Sequence, residues 1–371
     1  MAKVTLAYIG LGSNLGEREK SIQSAVKMLA ETEGIDVNQV SDIIETSALG
    51  QRNQPKYLNA VAGVTTSLSS GDLHKKLADI EVSLGRVNKE KWASRIIDLD
   101  ILLFGGQIIN TPELTIPHHQ MHLRSFVLGG MCELCFHFVH PVLNATMEEL
   151  ESRLNGADYI LNPKVPQLVS IGGIIGVGKT TLAEKLSKLL GCRLLLEAYD
   201  TNPFMQDVYA GKKQLALDSQ LYFLRSRTEQ LNPDILAAGQ IAVSDYIFDK
   251  ELIYARRLLD NRQLSLYENT YPPFAGQVAL PVLVIYLQDS AQSCLGRIHK
   301  RNRPYEQKIE LQFLEALDSD YQRLFADWKT CPVIRISISE FDCTRDTDIS
   351  YLANQIKCYI ASDSVIAKPA K

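Results

Sequence analysis

Two short stretches carry residues whose types and spacing suit phosphate chemistry. Gly173-Ile-Ile-Gly176-Val-Gly178-Lys179-Thr180 fits the pattern G-x-x-x-x-G-K-[ST] of a P-loop. Backbone N–H groups of such a loop, around Gly173, Gly176, Gly178 and the following Thr181, cradle phosphate. Lys179 would reach the terminal phosphates and Thr180 would ligate Mg2+. Far upstream, Asp98 and Asp100 interrupt the apolar run Ile96–Phe104. Strand alternation puts both carboxylates on one face, where two unpaired charges repel. A divalent cation between them removes the conflict, with substrate phosphates and water completing its octahedron. The bland alternative places both acids in solvent at a strand end. Arg86, Lys89, Lys91 and Arg95 precede the pair, and His118, His119 and Arg124 follow it. Cations near a metal-binding acid pair suit a polyphosphate. A solvated basic loop would explain the lysines but not the histidine–arginine pattern.

The elements that must hold these residues divide the chain. Gln167–Ile171 reads as a strand before the glycine-rich loop and Thr181–Leu190 as a helix after it. A nucleotide-binding domain thus begins near residue 165, and the roughly 160 residues before it suffice for a domain of their own. In that first part, Val4–Ile9 and Ala60–Thr66 are strand-like, while Glu19–Leu29 and Leu73–Leu84 show helical apolar spacing. This is an α+β pattern. Leu154–Val165 holds Asn-Gly, two prolines and little periodicity, so the linker belongs there. Beyond the loop, apolar runs at Arg193–Leu196, Ile241–Val243, Val282–Leu287 and Val333–Ile336 alternate with helical segments, the rhythm of a doubly wound parallel sheet. The expected division is a first domain over 1–155, a linker over 156–166, a second domain over 167–360 and a disordered tail over 361–371.

The bulk composition narrows the class. A net charge of −4 over 371 residues argues against a nucleic-acid-coating protein. No apolar run reaches the roughly 18 residues of a membrane span. The N-terminus runs straight into strand alternation without a signal peptide's apolar core, so a cytoplasmic protein is expected. Seven cysteines without framework spacing read as reduced thiols. Cys132 and Cys135 with His137 and His140 could bind zinc, but the histidines sit too close together for the usual ligand spacing. Buried structural cysteines at the end of a helix fit better.

At residues 3–150 the chain resembles 6-hydroxymethyl-7,8-dihydropterin pyrophosphokinases of folate synthesis. The resemblance rests on Tyr8-Ile-Gly-Leu-Gly-Ser-Asn-Leu-Gly16, Glu45–Gly50, Gln54–Asn59, Gly85-Arg86-Val87, Trp92, Arg95–Ile101, Pro117-His118, Arg124 and Phe126. It implies transfer of pyrophosphate from ATP to the pterin's hydroxymethyl group with release of AMP. It also implies that Asp98 and Asp100 carry Mg2+, and that Arg86 and Arg95 hold the polyphosphate. Thr46, Leu49, Tyr57, Asn59, Trp92 and Phe126 would form the pterin pocket. His118, with Glu81 behind it, and Arg124 would serve the nucleotide side. The sequence departs from the family at Asn88, where a third basic residue is usual, and at Ser47 and His119. The loop before Trp92 is about one residue short of the family pattern.

In the second part, Glu197 closes a strand-like run at the edge where ligands bind in such sheets, and a carboxylate there can accept a hydroxyl proton. Arg297, Arg301 and Arg303 suit a lid over transferring phosphate. Gln220–Arg227 is amphipathic, with polar groups able to face a base. Residues 167–340 resemble deoxynucleoside kinases through the loop, Glu197, Asn202-Pro-Phe204, Tyr209, Gln220–Arg227 and Arg297–Gln307. That resemblance makes Glu197 the base for the 5′-hydroxyl, Tyr209 and Glu306 the binders of the 3′-hydroxyl, and Gln220 the partner of the nucleobase. Arg227 paired with Asp249 would favour a purine, deoxyadenosine first. The family's acid-Arg-Ser triplet is replaced by Asp245-Tyr246, leaving Lys250 or Arg225 to supply the missing charge. A homodimer through this domain is expected, because Leu215–Leu236 is apolar on more than one face.

The expected architecture is an α+β ferredoxin-like domain followed by an α/β P-loop kinase domain with a parallel sheet. The ligands would be ATP, Mg2+, a pterin and a deoxynucleoside, with no nucleic acid and no membrane. Two alternatives stay open for the second domain: a non-catalytic nucleotide-binding or dimerising module, and a nucleoside monophosphate kinase. Separate acid and P-loop sites predict separable activities. Asp98→Ala should abolish AMP formation with pterin and spare nucleoside phosphorylation, and Lys179→Ala should do the reverse. Loss of both activities from either change in a folded protein would contradict the two-site reading.

Overall fold

The computed structural model describes residues 4–49, 54–86 and 94–361. The chain divides between Ile160 and Leu161 into two compact units.

The first unit is built on an antiparallel sheet. Its strands are β1 (Thr5–Ser13), β2 (Ile35–Val40), β3 (Ile44–Thr46), β4 (Tyr57–Thr66) and β5 (Asp98–Phe104), ordered β2-β4-β1-β5 with β3 also on β4. Two helices, α1 (Arg18–Glu31) and α2 (Ser70–Ser83), connect β1 to β2 and β4 to β5. Alternation decides which face they cover. Ala7, Ile9 and Leu11 of β1, Ala60, Ala62 and Val64 of β4, and Leu99 and Ile101 of β5 pack with Ile22 and Leu29 of α1 and Leu73 and Leu77 of α2. Each buried leucine or isoleucine contributes roughly 1.5–3 kcal/mol. The Ser69 cap on the Asp72 N–H adds about 1 kcal/mol, so the apolar face, not the cap, fixes α2. The short hairpin strands β6 (Ile109–Asn110) and β7 (Thr115–Ile116) lead to α3 (Ser125–Cys135) and the box-capped α4 (Met147–Leu154).

The second unit has a parallel sheet. Its strands β8 (Gln167–Gly172), β9 (Arg193–Leu195), β10 (Ile241–Ser244), β11 (Leu283–Gln288) and β12 (Val333–Ser337) run in the order β12-β11-β8-β10-β9. Every residue of the central β8 is buried, as expected of a strand covered on both faces. The helices are α5 (Lys179–Leu190), α6 (Met205–Tyr209), α7 (Ala216–Gln230), α8 (Lys250–Leu258), α9 (Asn261–Ala275), α10 (Ala291–Arg301), α11 (Leu311–Ala326) and α12 (Asp346–Lys357). The apolar surface expected to need a second copy is largely taken up inside the unit. Phe223 and Leu224 are buried, and Leu217 and Leu221 pack on a core that includes Tyr267 of α9. Asp218, Arg225 and Glu229 form the exposed stripe of α7.

Tight packing of α3 on β4 gives a test. A Cβ on Gly130 would stand 2.7 Å from Val61 Cγ2 and 3.1 Å from Ser41 Oγ. Glycine to alanine inside an exposed helix stabilises by about 1 kcal/mol, but overpacking a core costs about 1–3 kcal/mol. Gly130→Ala should therefore destabilise the first unit, read as a lower urea midpoint. A raised midpoint would show that β4 yields.

Candidate active sites

Among the described residues, each unit has a cavity lined by polar residues singled out above, of about 240 Å3 in the first and about 230 Å3 in the second. The first lies on the sheet face opposite α1 and α2. Register explains the space. Gly12 of β1 pairs with Asn59 on one side and Asp98 on the other, and Gly10 pairs with Asp100. A Cβ on Gly12 would come within 3.3 Å of Asn59 Oδ1. Bare backbone between the amide and the acids thus forms the cavity floor. Thr46, Leu49, Tyr57, Asn59 and Phe126 line it together with Arg95, Asp98, Asp100, His118 and Arg124. Asn59 Nδ2 donates to Thr46 Oγ1 at 2.8 Å, which leaves the amide oxygen on the cavity side of a fixed plane.

The acids are electrically strained. Burial and then the charge of Asp100 push the Asp98 carboxyl up, while Arg95 and Arg86 oppose this. Arg95 Nη1 lies 2.6 Å from Asp98 Oδ2 and Arg86 Nη1 lies 3.0 Å from Asp98 Oδ1. Asp100 stays more open, with 44% of its side chain exposed. Among the described residues no group of three or more His, Cys, Asp or Glu is placed to hold a metal. The two acids nevertheless fit Mg2+ that takes its other oxygens from phosphate and water, because the cation would relieve their mutual repulsion. Burial, then Arg124, holds the His118 imidazole well below its ordinary range. Its Nε2 is 4.0 Å from Asp100 Oδ2.

One placement differs from expectation. Glu81 is not behind His118. It binds Arg86 and accepts the Leu99 N–H at 2.8 Å, on the far side of Asp98. Burial lifts its carboxyl to about 7, against Arg86. Sequence reasoning missed Asn14, which is 1% exposed. Its Oδ1 accepts the Arg95 N–H at 2.7 Å, and its own N–H donates to Arg95 O at 3.0 Å. Asn14 therefore sets the base from which Arg95 reaches Asp98. Its signal was its place after Gly-x-Gly in the stretch Tyr8–Gly16 on which the resemblance rests. Trp92 and Asn88 lie outside the described residues. The Cys132 and Cys135 thiols are half-buried rather than buried, with Cys135 bonded to Tyr8 and Cys132 to Glu151.

The second cavity lies at the C-terminal ends of the parallel strands. Gly173, Gly176 and Gly178 have φ of 138°, 83° and 108°, a region that favours glycine. Cβ atoms on Gly173 and Gly176 would each meet a carbonyl oxygen at 2.6 Å. Lys179 Nζ donates to Gly173 O and Ile174 O at 2.9 and 2.8 Å. Thr180 Oγ1 donates to Asp245 Oδ2 at 2.6 Å, and Asp245 Oδ1 accepts the Glu197 N–H at 2.9 Å. Asp245 thereby ties the loop's hydroxyl to the candidate base. Glu197 lies two residues past β9 rather than ending it. The cavity wall also includes Thr181, Arg297, Arg301, Arg303 and Glu306. Arg297 Nε donates to Gly176 O at 2.7 Å and its Nη2 meets Asp289 at 2.5 Å. Arg301 grips Glu306 through two bonds of 2.5 and 2.6 Å.

One base-side pairing needs correction, and the choice of cation beside Glu197 is decided. Gln220, Arg227 and Asp249 do not line this cavity. Arg227 does not pair with Asp249; its guanidinium bridges Glu197 and Glu251, and Tyr267 donates to the other oxygen of Glu251. Glu251 lies one helical position beyond Lys250, so α8 turns it inward where Asp249 only precedes the helix. Finally, Lys250 and not Arg225 reaches Glu197; Arg225 is exposed and pairs with Glu229. Burial and then Arg227 pull the Lys250 ammonium well below its ordinary range, with Asp245 and Glu251 opposing. Tyr246 is fully buried and donates to Gln230. Tyr209 closes α6, but its side chain lies outside the described residues.

The two stretches of chain that hold these sites match known families. Residues 8–136 fit the family described as 7,8-dihydro-6-hydroxymethylpterin-pyrophosphokinase, and residues 169–361 fit deoxynucleoside kinase. The 2-amino-4-hydroxy-6-hydroxymethyldihydropteridine pyrophosphokinase of Bacillus subtilis (strain 168) is 41% identical over 130 residues, 35% of this chain and 78% of its own length. The deoxyguanosine kinase of the same organism is 37% identical over 157 residues, 42% of this chain and 76% of its own. A solved deoxyadenosine kinase from M. mycoides aligns at 26% identity over 51% of this chain and 98% of its own, with a TM-score of 0.42. The chain belongs to both families, to the pterin pyrophosphokinases through its first unit and to the deoxynucleoside kinases through its second.

Burial holds the Lys179 ammonium down to about 8. The cation is present below that value and lost above it. The part of ATP binding that Lys179→Ala removes should therefore weaken as pH rises past about 8, approaching tenfold per pH unit. Titration calorimetry across this range checks it, and a flat profile would show that the Lys179 ammonium keeps its charge past pH 8.

Proposed function

We propose that the chain is a bifunctional enzyme using ATP twice, once on 6-hydroxymethyl-7,8-dihydropterin and once on a purine deoxynucleoside. The bare strand at Gly10 and Gly12, set between Asn59 and the two acids, carries the first reading. It places a flat heterocycle's hydrogen-bonding edge and a polyphosphate's charge on one floor. The pterin lies between Tyr57 and Phe126, held by Asn59 and Thr46. Its hydroxymethyl oxygen bonds the β-phosphorus, the bond from that phosphorus to the AMP oxygen breaks, and the hydroxyl proton passes to water. Arg86 and Arg95, now on Asp98, are the cations that would follow the polyphosphate. We read the sheet order as a ferredoxin-like plan.

In the second unit Glu197 carries the reading, since it shares a wall with Lys179, Thr180 and the three arginines. We read Gly173–Thr180 as a P-loop. The nucleoside 5′-oxygen bonds the γ-phosphorus, the bond to ADP breaks, and Glu197 takes the proton. Mg2+ held by Asp98 and Asp100, or by Thr180, would neutralise and orient the phosphates when bound. The purine preference rests on the deoxyguanosine kinase relative. The linker at 156–166 and a cytoplasmic setting belong to the same reading. So does a homodimer, which rests on the family alone. No helix among the described residues is long and apolar enough to cross a membrane.

The test is direct. Incubated with ATP and each deoxynucleoside, the protein should form monophosphates from deoxyadenosine and deoxyguanosine with higher kcat/KM than from thymidine. With ATP and the pterin it should form AMP. Absence of any monophosphate would leave the second unit a binding module. Phosphorylation of deoxynucleoside monophosphates instead would make it a monophosphate kinase.

A further inference from the structure

Lys250 is placed where a lysine is doubly unfavourable. It is the first residue of α8, at the helix end that disfavours cations. Its side chain is 2% exposed, so its ammonium is desolvated. The compensation is local and specific. Nζ meets Glu197 Oε1, and lies 5.9 Å from the ring of Tyr199 and 5.2 Å from that of Tyr254. Arg227 from α7 reaches the same oxygen of Glu197, and Asp245 after β10 holds the Glu197 N–H. Lys179 and Arg301 stand on the cavity wall that Glu197 shares. Tyr246, next to Asp245 in sequence, is turned into the core and brings no charge.

We propose that Lys250 is a positioning residue: with Arg227 it fastens one oxygen of Glu197 and so presents the other to the acceptor hydroxyl. The proposal rests on reading Glu197 as the kinase base. One oxygen held from two helices fixes both the rotamer and the plane of the carboxylate. A side chain that merely filled the space would leave the carboxylate free to turn towards Arg227 alone. Positioning of this kind affects the rate at which bound reactants are converted more than the binding of ATP.

The test compares Lys250→Met and Lys250→Arg in the full chain. Lys250→Met should lower kcat for deoxynucleoside phosphorylation by about 10²-fold, with the KM for ATP within about threefold of the parent. AMP formation with pterin should be unchanged. Lys250→Arg keeps a cation and should recover kcat to within about tenfold of the parent. A Lys250→Met enzyme with parental kcat would overturn the proposal. If Lys250→Met fails to fold, Lys250→Arg decides: folded but as slow as a Glu197→Gln enzyme, it refutes the positioning role. A parent that phosphorylates no nucleoside sinks the functional reading and this proposal with it, whereas an active parent isolates the role of Lys250.

Discussion

Carboxylates held side by side away from water repel, and each unit is organised around that repulsion. In the first, Asp98 and Asp100 share a strand face, and Arg86, Arg95 and Glu81 are arranged about Asp98. In the second, Glu197 and Glu251 are both buried, and Arg227 spans them while Lys250 adds a second cation. Removing one partner of a buried pair typically costs about 3–5 kcal/mol. The cations are therefore part of the fold before they are part of any chemistry. Such clusters persist where packing enforces them, and where ligand charge is to be met.

The two sheets deliver their acids differently. An antiparallel strand offers alternate residues to one face, so Asp98 and Asp100 come as neighbours on β5, and cross-strand pairing brings Asn59 level with them. A parallel sheet offers its strand ends. The loop after β8, Glu197 after β9, Asp245 after β10 and Asp289 after β11 meet there, as ligand-binding edges of such sheets do. The first site is thus a face and the second an edge. The first needs glycines at Gly10 and Gly12 to open space, whereas the second needs them at Gly173, Gly176 and Gly178 to let the backbone turn.

Much of this was legible in the sequence because it is local. Alternation located β4 and β5, helical spacing located α1 and α2, and the glycine-lysine pattern located the loop before α5. The residues expected around the pterin do come together, apart from Trp92, which lies outside the described residues. What was not legible is register and partner choice. Nothing at Gly12 announces that it will pair with both Asn59 and Asp98, since that depends on strands far apart in the chain. Glu81 was assigned to the wrong neighbour for the same reason. Arg227 was matched with Asp249, although its position on α7 brings it to Glu251 and Glu197. Two residues separate the two acids, and only the packing of α7 on α8 reveals which is met.

The bridge made by Arg227 has a mechanical consequence. A single planar guanidinium touches Glu197 with one nitrogen and Glu251 with another. Its two ends cannot move independently, because the group is rigid. Whatever pulls on Glu251 or on Arg227 is transmitted to the carboxylate on the cavity wall. If Glu197 is the base proposed above, recognition of the nucleoside and proton transfer would then be a single lever. A poorly fitting molecule would be penalised as misalignment at Glu197 rather than as weak attachment.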